Sequence, residues 1–317
     1  MKEIGGYLGL EQFGGQEYHP QAIALNSARN ALLYVLQGRK ISKLFIPYYL
    51  CDSVSRVCED YGFVYEHYNI SSDFLPEFSE KMKTGEYIYV VNFFGQITNN
   101  KAREIKKKYG NMIFDNVHAF FQPPLSGVDV LYSCRKFFGV SDGAYLYTSI
   151  KETENLTQDI SKDRMMHILG RFEKTGSEYY KFFLENERVI DEMPLLRMSK
   201  LTHNILRGID YDMVRKRRNE NYNYLKDALH SHNALKLSAP DGPYAYPYYH
   251  PNGMTLKKRL AEKKIYVPTL WPNVLSLRQA LEKDYTENIL PLPCDQRYCI
   301  EDMRRIVCEL YENGGVG

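Results

Sequence analysis

The chain has one tryptophan in 317 residues, and its other shortages are equally informative. No apolar run approaches the roughly 18 residues that a membrane-spanning helix needs. The opening stretch MKEIGGYLGLEQFGG has no apolar signal core, so a cleaved secretion signal is not expected and a cytoplasmic location is. The cysteines, Cys51, Cys58, Cys134, Cys294, Cys299 and Cys308, include no C-x-x-C pair. Cys294 and Cys299 have no neighbouring His or Cys pair that could complete a zinc site. All six read as reduced thiols, with no disulfide and no metal expected. Neither sign of charge dominates: 41 Lys+Arg stand against 39 Asp+Glu, a net +2. That balance removes the electrostatic reason to expect nucleic acid or an anionic membrane as partner. The one basic cluster, Arg215-Lys216-Arg217-Arg218, has acidic neighbours and reads as a solvated helix face. There is no internal repeat and no low-complexity tract.

What the chain does have is ordinary globular material, 44% apolar and 25% charged. At roughly 150 residues per domain its length suggests two domains with cores large enough to need no staple. Its 27 tyrosines suit surfaces that are packed on one side and wet on the other. Residues 21–37 have helical apolar spacing, with Gly38 placed to end the helix. KLFIP (43–47), FVYEHY (63–68), YIYVVNFFG (87–95), MIFD (112–115), DVLYS (129–133) and AYLYT (144–148) read as strands. Residues 51–61 and NNKAREIKKKYG read as helices between them. Short strands alternating with helices predict an α/β domain: three layers, α/β/α, around a mainly parallel sheet. From about 160 to 235 the chain becomes long, charged and helical. From about 236 it runs through turns, a helix (MTLKKRLAEKK), a strand (IYVPTL) and a last helix (IEDMRRIVCELY), which predicts a small α+β domain.

Ligands of open parallel sheets collect at the carboxyl ends of the strands. MIFD delivers Asp115 there, with His118 three residues on, and DVLYS delivers Ser133 and then Lys136. Each has a plainer alternative. Asp115 could be a helix N-cap, His118 a packing histidine, and Lys136 a lysine snorkelling out of a loop. A lysine flanked by Phe137 and Phe138 could instead be desolvated into a nucleophile able to form a Schiff base. The segment Leu25–Asn30 could start a helix whose free N–H groups bind a phosphate, which requires the helix to begin near Asn26. Taken together, a phosphate-capable helix start, a strand-end acid and a lysine form the inventory for holding pyridoxal phosphate (PLP).

With these residues in place the chain resembles the DegT/StrS family of sugar aminotransferases, PLP enzymes of the aspartate-aminotransferase fold. Ser27-Ala28-Arg29-Asn30-Ala31-Leu32 is similar to the family's Ser-Gly-Thr-Ala-Ala-Leu phosphate segment. Ile46-Pro47-Tyr48-Tyr49, Val91-Asn92-Phe93-Phe94-Gly95-Gln96 and Phe114-Asp115-Asn116-Val117-His118-Ala119 follow in family order. Ser133-Cys134-Arg135-Lys136 and Asp142-Gly143-Ala144 stand for the lysine segment and its E-G-G.

The resemblance implies that Lys136 forms the Schiff base and shuttles the proton, and that Asp115 pairs with the pyridine nitrogen. It places His118 near the ring hydroxyl, and it gives the phosphate to the Ala28 and Arg29 amides and the Ser133 hydroxyl. The family's ring-stacking aromatic falls on Cys51, with Tyr49 or Tyr48 as substitutes. The Asn that reaches the neighbouring subunit falls near Leu195. A PLP-binding large domain over 1–200 is implied, then a long connecting helix and small domain over 201–317. Also implied are a homodimer and transfer of an amino group, with glutamate as donor, to a keto sugar, nucleotide-linked, in amino-sugar or surface-polysaccharide biosynthesis. The rivals are a different PLP reaction and a non-catalytic binding protein on the same fold.

Overall fold

The computed structural model describes residues 4–79, 81–151 and 156–311. The chain opens with β1 (Ile23–Leu25), α1 (Ala28–Arg39), β2 (Lys43–Pro47), α2 (Asp52–Asp60), β3 (Tyr65–Ile70), β4 (Pro76–Glu77) and β5 (Glu86–Val91). It continues through α3 (Asn99–Tyr109), β6 (Met112–Asp115), β7 (Asp129–Ser133) and β8 (Ala144–Tyr147). These eight strands form one sheet in the order β1-β8-β7-β6-β5-β2-β3-β4. The central pairings, β3 with β2, β2 with β5, β5 with β6 and β6 with β7, are parallel. Antiparallel pairs finish both edges. β6 and β7 are buried at every position, as strands covered on both faces must be. The expected α/β class with a mainly parallel sheet is the one that forms.

The helical stretch consists of α4 (Met166–Glu173), α5 (Tyr180–Glu192), α6 (Lys200–Arg207) and α7 (Tyr211–Leu229). Then come β9 (Tyr246–Tyr249), α8 (Gly253–Glu262), α9 (Ala280–Asn288), β10 (Ile289–Leu292) and α10 (Ile300–Tyr311). A second apolar cluster, including Tyr222 and Leu225 of α7, Tyr248, Leu260, Leu290 and Ile306, is separate from the core around the large sheet.

Four expectations need correction. Residues 21–37 are not one helix. Residues 23–25 form β1, held by β8 and by Met198 N–H donating to Ala24 O, partners too distant in sequence for local periodicity to reveal. Gly38 does not end α1; it lies inside the helix, where a Cβ would meet Ile150, and the left-handed cap is Lys40 at φ 51°. YIYVVNFFG stops being a strand at Val91. The Asn92 carboxamide donates to Asn116 and Gln122 and accepts from Ile97 N–H, and Phe94 turns the chain at φ 53°. IYVPTL is not a strand: Pro268 has no N–H for a ladder, and the small sheet consists of β9 and β10.

Candidate active site

β5, β6 and β7 run parallel, so Asn92, Asp115 and Ser133 reach the same edge of the sheet. Ala144 pairs with Ser133 on one side and Leu25 on the other, so α1 starts at that edge too. Its N-cap is Ser27, whose hydroxyl accepts from Asn30 N–H at 3.1 Å, worth about 1 kcal/mol. The Ala28 and Arg29 N–H groups are the first two of the helix and have no carbonyl within it to bond. This is the start that a phosphate site requires. The Arg29 side chain turns away toward Asp60, at 4.0 Å, and its Nε has no partner among the described residues. Arg29 therefore offers its backbone at this edge.

Gly143 ties the edge together. Its N–H donates to Asn26 O at 2.7 Å and its carbonyl accepts from Cys134 N–H at 3.0 Å. It does so at φ 116°, where a Cβ would also meet Thr202 and Met198. Asp142 beside it accepts from Ser199 N–H and Oγ, each at 2.8 Å, and from the Thr202 hydroxyl. The start of α6 is thereby locked onto the lysine loop.

A cleft of about 840 Å³ opens at this edge, its lining including Ser133, Arg135, Lys136, Arg218, Tyr244 and Arg297. The Lys136 side chain is open to the cleft, yet its amine lies deep enough that the protein around it governs its ionisation. Burial pulls its pKa down and Arg135 adds to this; Asp115 and Cys51 pull the other way, and the net is a lowered value. The amine is 3.0 Å from His118 Nε2. His118 is fully buried, and burial together with the Lys136 charge holds its pKa far below the ordinary value, so the imidazole is neutral. A long 3.5 Å contact from Phe94 N–H reaches its Nδ1.

Asp115 is 3% exposed. Its Oδ2 accepts from the Tyr89 hydroxyl at 2.6 Å and its Oδ1 from Val117 N–H at 2.8 Å. Burial raises its pKa, while Tyr89, Lys136 and Val117 N–H oppose the rise without cancelling it.

Of the residues singled out from sequence, Asp115, His118, Lys136, Ser133, Ala28 and the Arg29 backbone meet at this edge. Cys51 is the N-cap residue of α2, half-buried beside Asp52. Tyr49 is wholly buried against Phe93, Trp271 and Tyr285, and Tyr48 stacks on His67; of the residues singled out, Ser133 and Lys136 line the cleft itself, while Asp115, His118, Ala28 and Arg29 lie at the sheet edge behind its lining. The aromatic rings parallel to His118 are Tyr244, at 4.3 Å and 6°, and Trp271, at 6.0 Å and 12°. Sequence reasoning missed both, although Trp271 is the chain's only tryptophan and Tyr244 lies two residues before the tyrosine-rich strand β9. It also missed Tyr89, whose partner lies on another element, and it read Arg218 as part of a solvated helix face, whereas Arg218 points inward and is fully buried against Phe137, Pro243 and Gln296.

No protein-family model matches the chain, and neither does any curated protein. Solved structures do. The sugar aminotransferase CalS13 from Micromonospora echinospora aligns over 93% of this chain and 88% of its own, at 12% identity and TM-score 0.62. NtdA from Bacillus subtilis with bound cofactor PMP aligns over 92% and 72%, at 13% identity and TM-score 0.66. A DegT DnrJ EryC1 StrS aminotransferase from Brucella abortus aligns over 93% and 86%, at 15% identity and TM-score 0.58. At such identities the likeness is one of fold.

Proposed function

We propose that the protein is a PLP-dependent aminotransferase acting on a keto sugar. The observation that carries this reading is the Lys136 amine, open to a cleft, deprotonation-prone, and backed by His118 and Asp115 at the carboxyl edge of the sheet. The residues suit the cofactor. A free helix N-terminus and the Ser133 hydroxyl at the same edge match a phosphate. A buried acid matches a pyridine nitrogen, and a desolvated lysine matches an aldehyde. When bound, PLP supplies an electron sink for the charge left on a substrate carbon that loses its proton.

The chain's own groups then have distinct tasks. The Ala28 and Arg29 N–H groups and the Ser133 hydroxyl hold the phosphate. Asp115 pairs with the ring nitrogen. Lys136 anchors the cofactor and takes and returns a proton at Nζ. His118, kept neutral by burial, orients that amine through Nε2. Four arginines line the cleft, Arg135, Arg171, Arg218 and Arg297, against two carboxylates, Glu187 and Asp295. That excess of positive charge suits glutamate as donor and a nucleotide-linked keto sugar as acceptor, with a place in amino-sugar or surface-polysaccharide biosynthesis. The sugar aminotransferase name of CalS13 agrees with this substrate class.

The same reading takes residues 1–200 as the cofactor-binding domain and 201–317 as the connecting helix and small domain, in a cytoplasmic homodimer. A homodimer is supported by the apolar side chains that α4 and α5 leave in water, Phe172 at 91% exposure and Leu169 on α4, with Tyr180 and Leu184 on α5. No helix of the described residues is long and apolar enough to cross a membrane.

The test is the visible spectrum of the protein with added PLP, before and after borohydride, for wild type and Lys136→Ala. A band that reduction locks in wild type alone, and that glutamate bleaches, supports the proposal. No band in either protein overturns it.

A further inference from the structure

Asp115 sits in an unusual setting for a group that must stay charged. The carboxyl is 3% exposed at the end of an apolar strand, where ionisation is costly without compensation. The Lys136 amine favours the ionised carboxyl when it is charged, but its own pKa is depressed, so it is an unreliable counter-charge. Two donors do touch the carboxyl. Val117 N–H, two residues on, reaches Oδ1 at 2.8 Å, and any residue but proline there would supply it. The other donor is a side chain: the Tyr89 hydroxyl on β5, 2.6 Å from Oδ2.

The geometry points to Tyr89 as a positioning residue that holds Asp115 ionised and turns its carboxylate for the cofactor's ring nitrogen. The phenol is well suited to this. It is fully buried, and burial with the Asp115 charge raises its pKa far above the ordinary value. It therefore donates and never competes for the proton. Both groups are buried, and a hydrogen bond in so dry a setting is stronger than it would be in water. Tyr68 fixes the phenol's own strand, its hydroxyl donating to Tyr89 O at 2.8 Å. The other titratable groups acting on this pair are Lys136, from the loop after β7, Cys51, at the start of α2, and Tyr68 on β3, which acts on the phenol and not on the carboxyl.

The assignment rests on the PLP reading for its purpose, but its physical content can be tested without cofactor. In the cofactor-free protein, the infrared carbonyl band of protonated Asp115, identified by its loss in Asp115→Asn, is followed as a function of pH. In Tyr89→Phe the midpoint should move up by about one to two pH units, the value of a hydrogen bond to a charged group. Tyr68→Phe, which removes a neighbouring buried hydroxyl that does not touch the carboxyl, should leave the midpoint where it is. PLP affinity, read by fluorescence quenching, should fall about tenfold or more in Tyr89→Phe. An unmoved midpoint in Tyr89→Phe overturns the assignment, as does an equal movement in Tyr68→Phe.

Should Tyr89→Phe fold poorly, a double-mutant cycle in unfolding keeps the question open to refutation. Losing the hydroxyl should cost the folding equilibrium about tenfold more beside Asp115 than in the Asp115→Asn background, and equal costs refute the pairing. The expected infrared shift in Tyr89→Phe, together with no PLP binding by the wild type, would sink the functional reading and leave the pairing intact.

Discussion

Arg218 is the largest of the fully buried side chains, 1% exposed, and among the described residues no carboxylate forms an ion pair with it. Three groups hold its guanidinium instead. Nε donates to Gln296 Oε1 at 2.8 Å, one Nη to Pro243 O at 2.8 Å and the other to Phe137 O at 3.2 Å. The guanidinium also lies 4.5 Å from the centre of the Phe137 ring. One side chain of α7 thus clasps the residue after Lys136 and the residue before Tyr244. Arg218→Met leaves Pro243 O buried without its donor, at about 1–3 kcal/mol. It also forfeits about 1–2 kcal/mol of desolvated cation–π attraction. Gln296 is half-buried and can turn its carbonyl to water, and Phe137 O keeps the Gln296 Nε2 bond at 2.7 Å. Removing a buried cation returns part of its desolvation cost.

The expected net loss is about 2–3 kcal/mol. Urea unfolding followed through Trp271, which is 8% exposed beside the site, reads it directly. The midpoint should fall with the slope unchanged. Arg218→Lys should cost nearly as much, because it keeps the charge and loses the fork. Wild-type stability in Arg218→Met, or full rescue by lysine, would refute this account of the clasp.

Other outcomes follow from single contacts. His19 Nε2 lies 2.9 Å from Phe120 O and Nδ1 lies 3.2 Å from the Tyr147 hydroxyl, and burial lowers its pKa from 6.5 to about 4. The unfolded chain binds this proton first. Stability from a neutral His19 is therefore complete above pH 6.5 and falls by about 3 kcal/mol as pH drops to 4. His19→Gln should flatten that acid limb in pH-dependent unfolding. Phe172→Ser should leave unfolding of the monomer within about 0.5 kcal/mol of wild type, while sedimentation shows loss of the dimer; an unchanged dimer removes α4 from the interface. Lys136→Ala, in a side chain open to the cleft, should still fold cooperatively and lose the borohydride-sensitive band. A collapse in its stability would make Lys136 a structural residue.

The parallel core was legible because its information is local. β2, β6 and β7 are short apolar runs whose composition alone identifies them, as is the antiparallel β8 beside them, and α10 spans the predicted twelve-residue run IEDMRRIVCELY. Asp115 and Lys136 could be placed at the sheet's carboxyl edge because the ends of such strands follow from their apolar stretches. β1 could not be read. Three residues carry no periodicity, and their conformation comes from β8 and the segment near Met198.

The immediate surroundings of the site were likewise beyond the reach of sequence. Tyr89 meets Asp115 across 26 residues, and Arg218 meets Phe137 across 81. Tyr244 and Trp271 reach His118 from still farther along the chain. Sequence patterns specify which face of an element is apolar. Which side chain of a distant element then arrives at a given carboxyl or imidazole is chosen by the packing of the whole chain, and only tertiary structure records that choice.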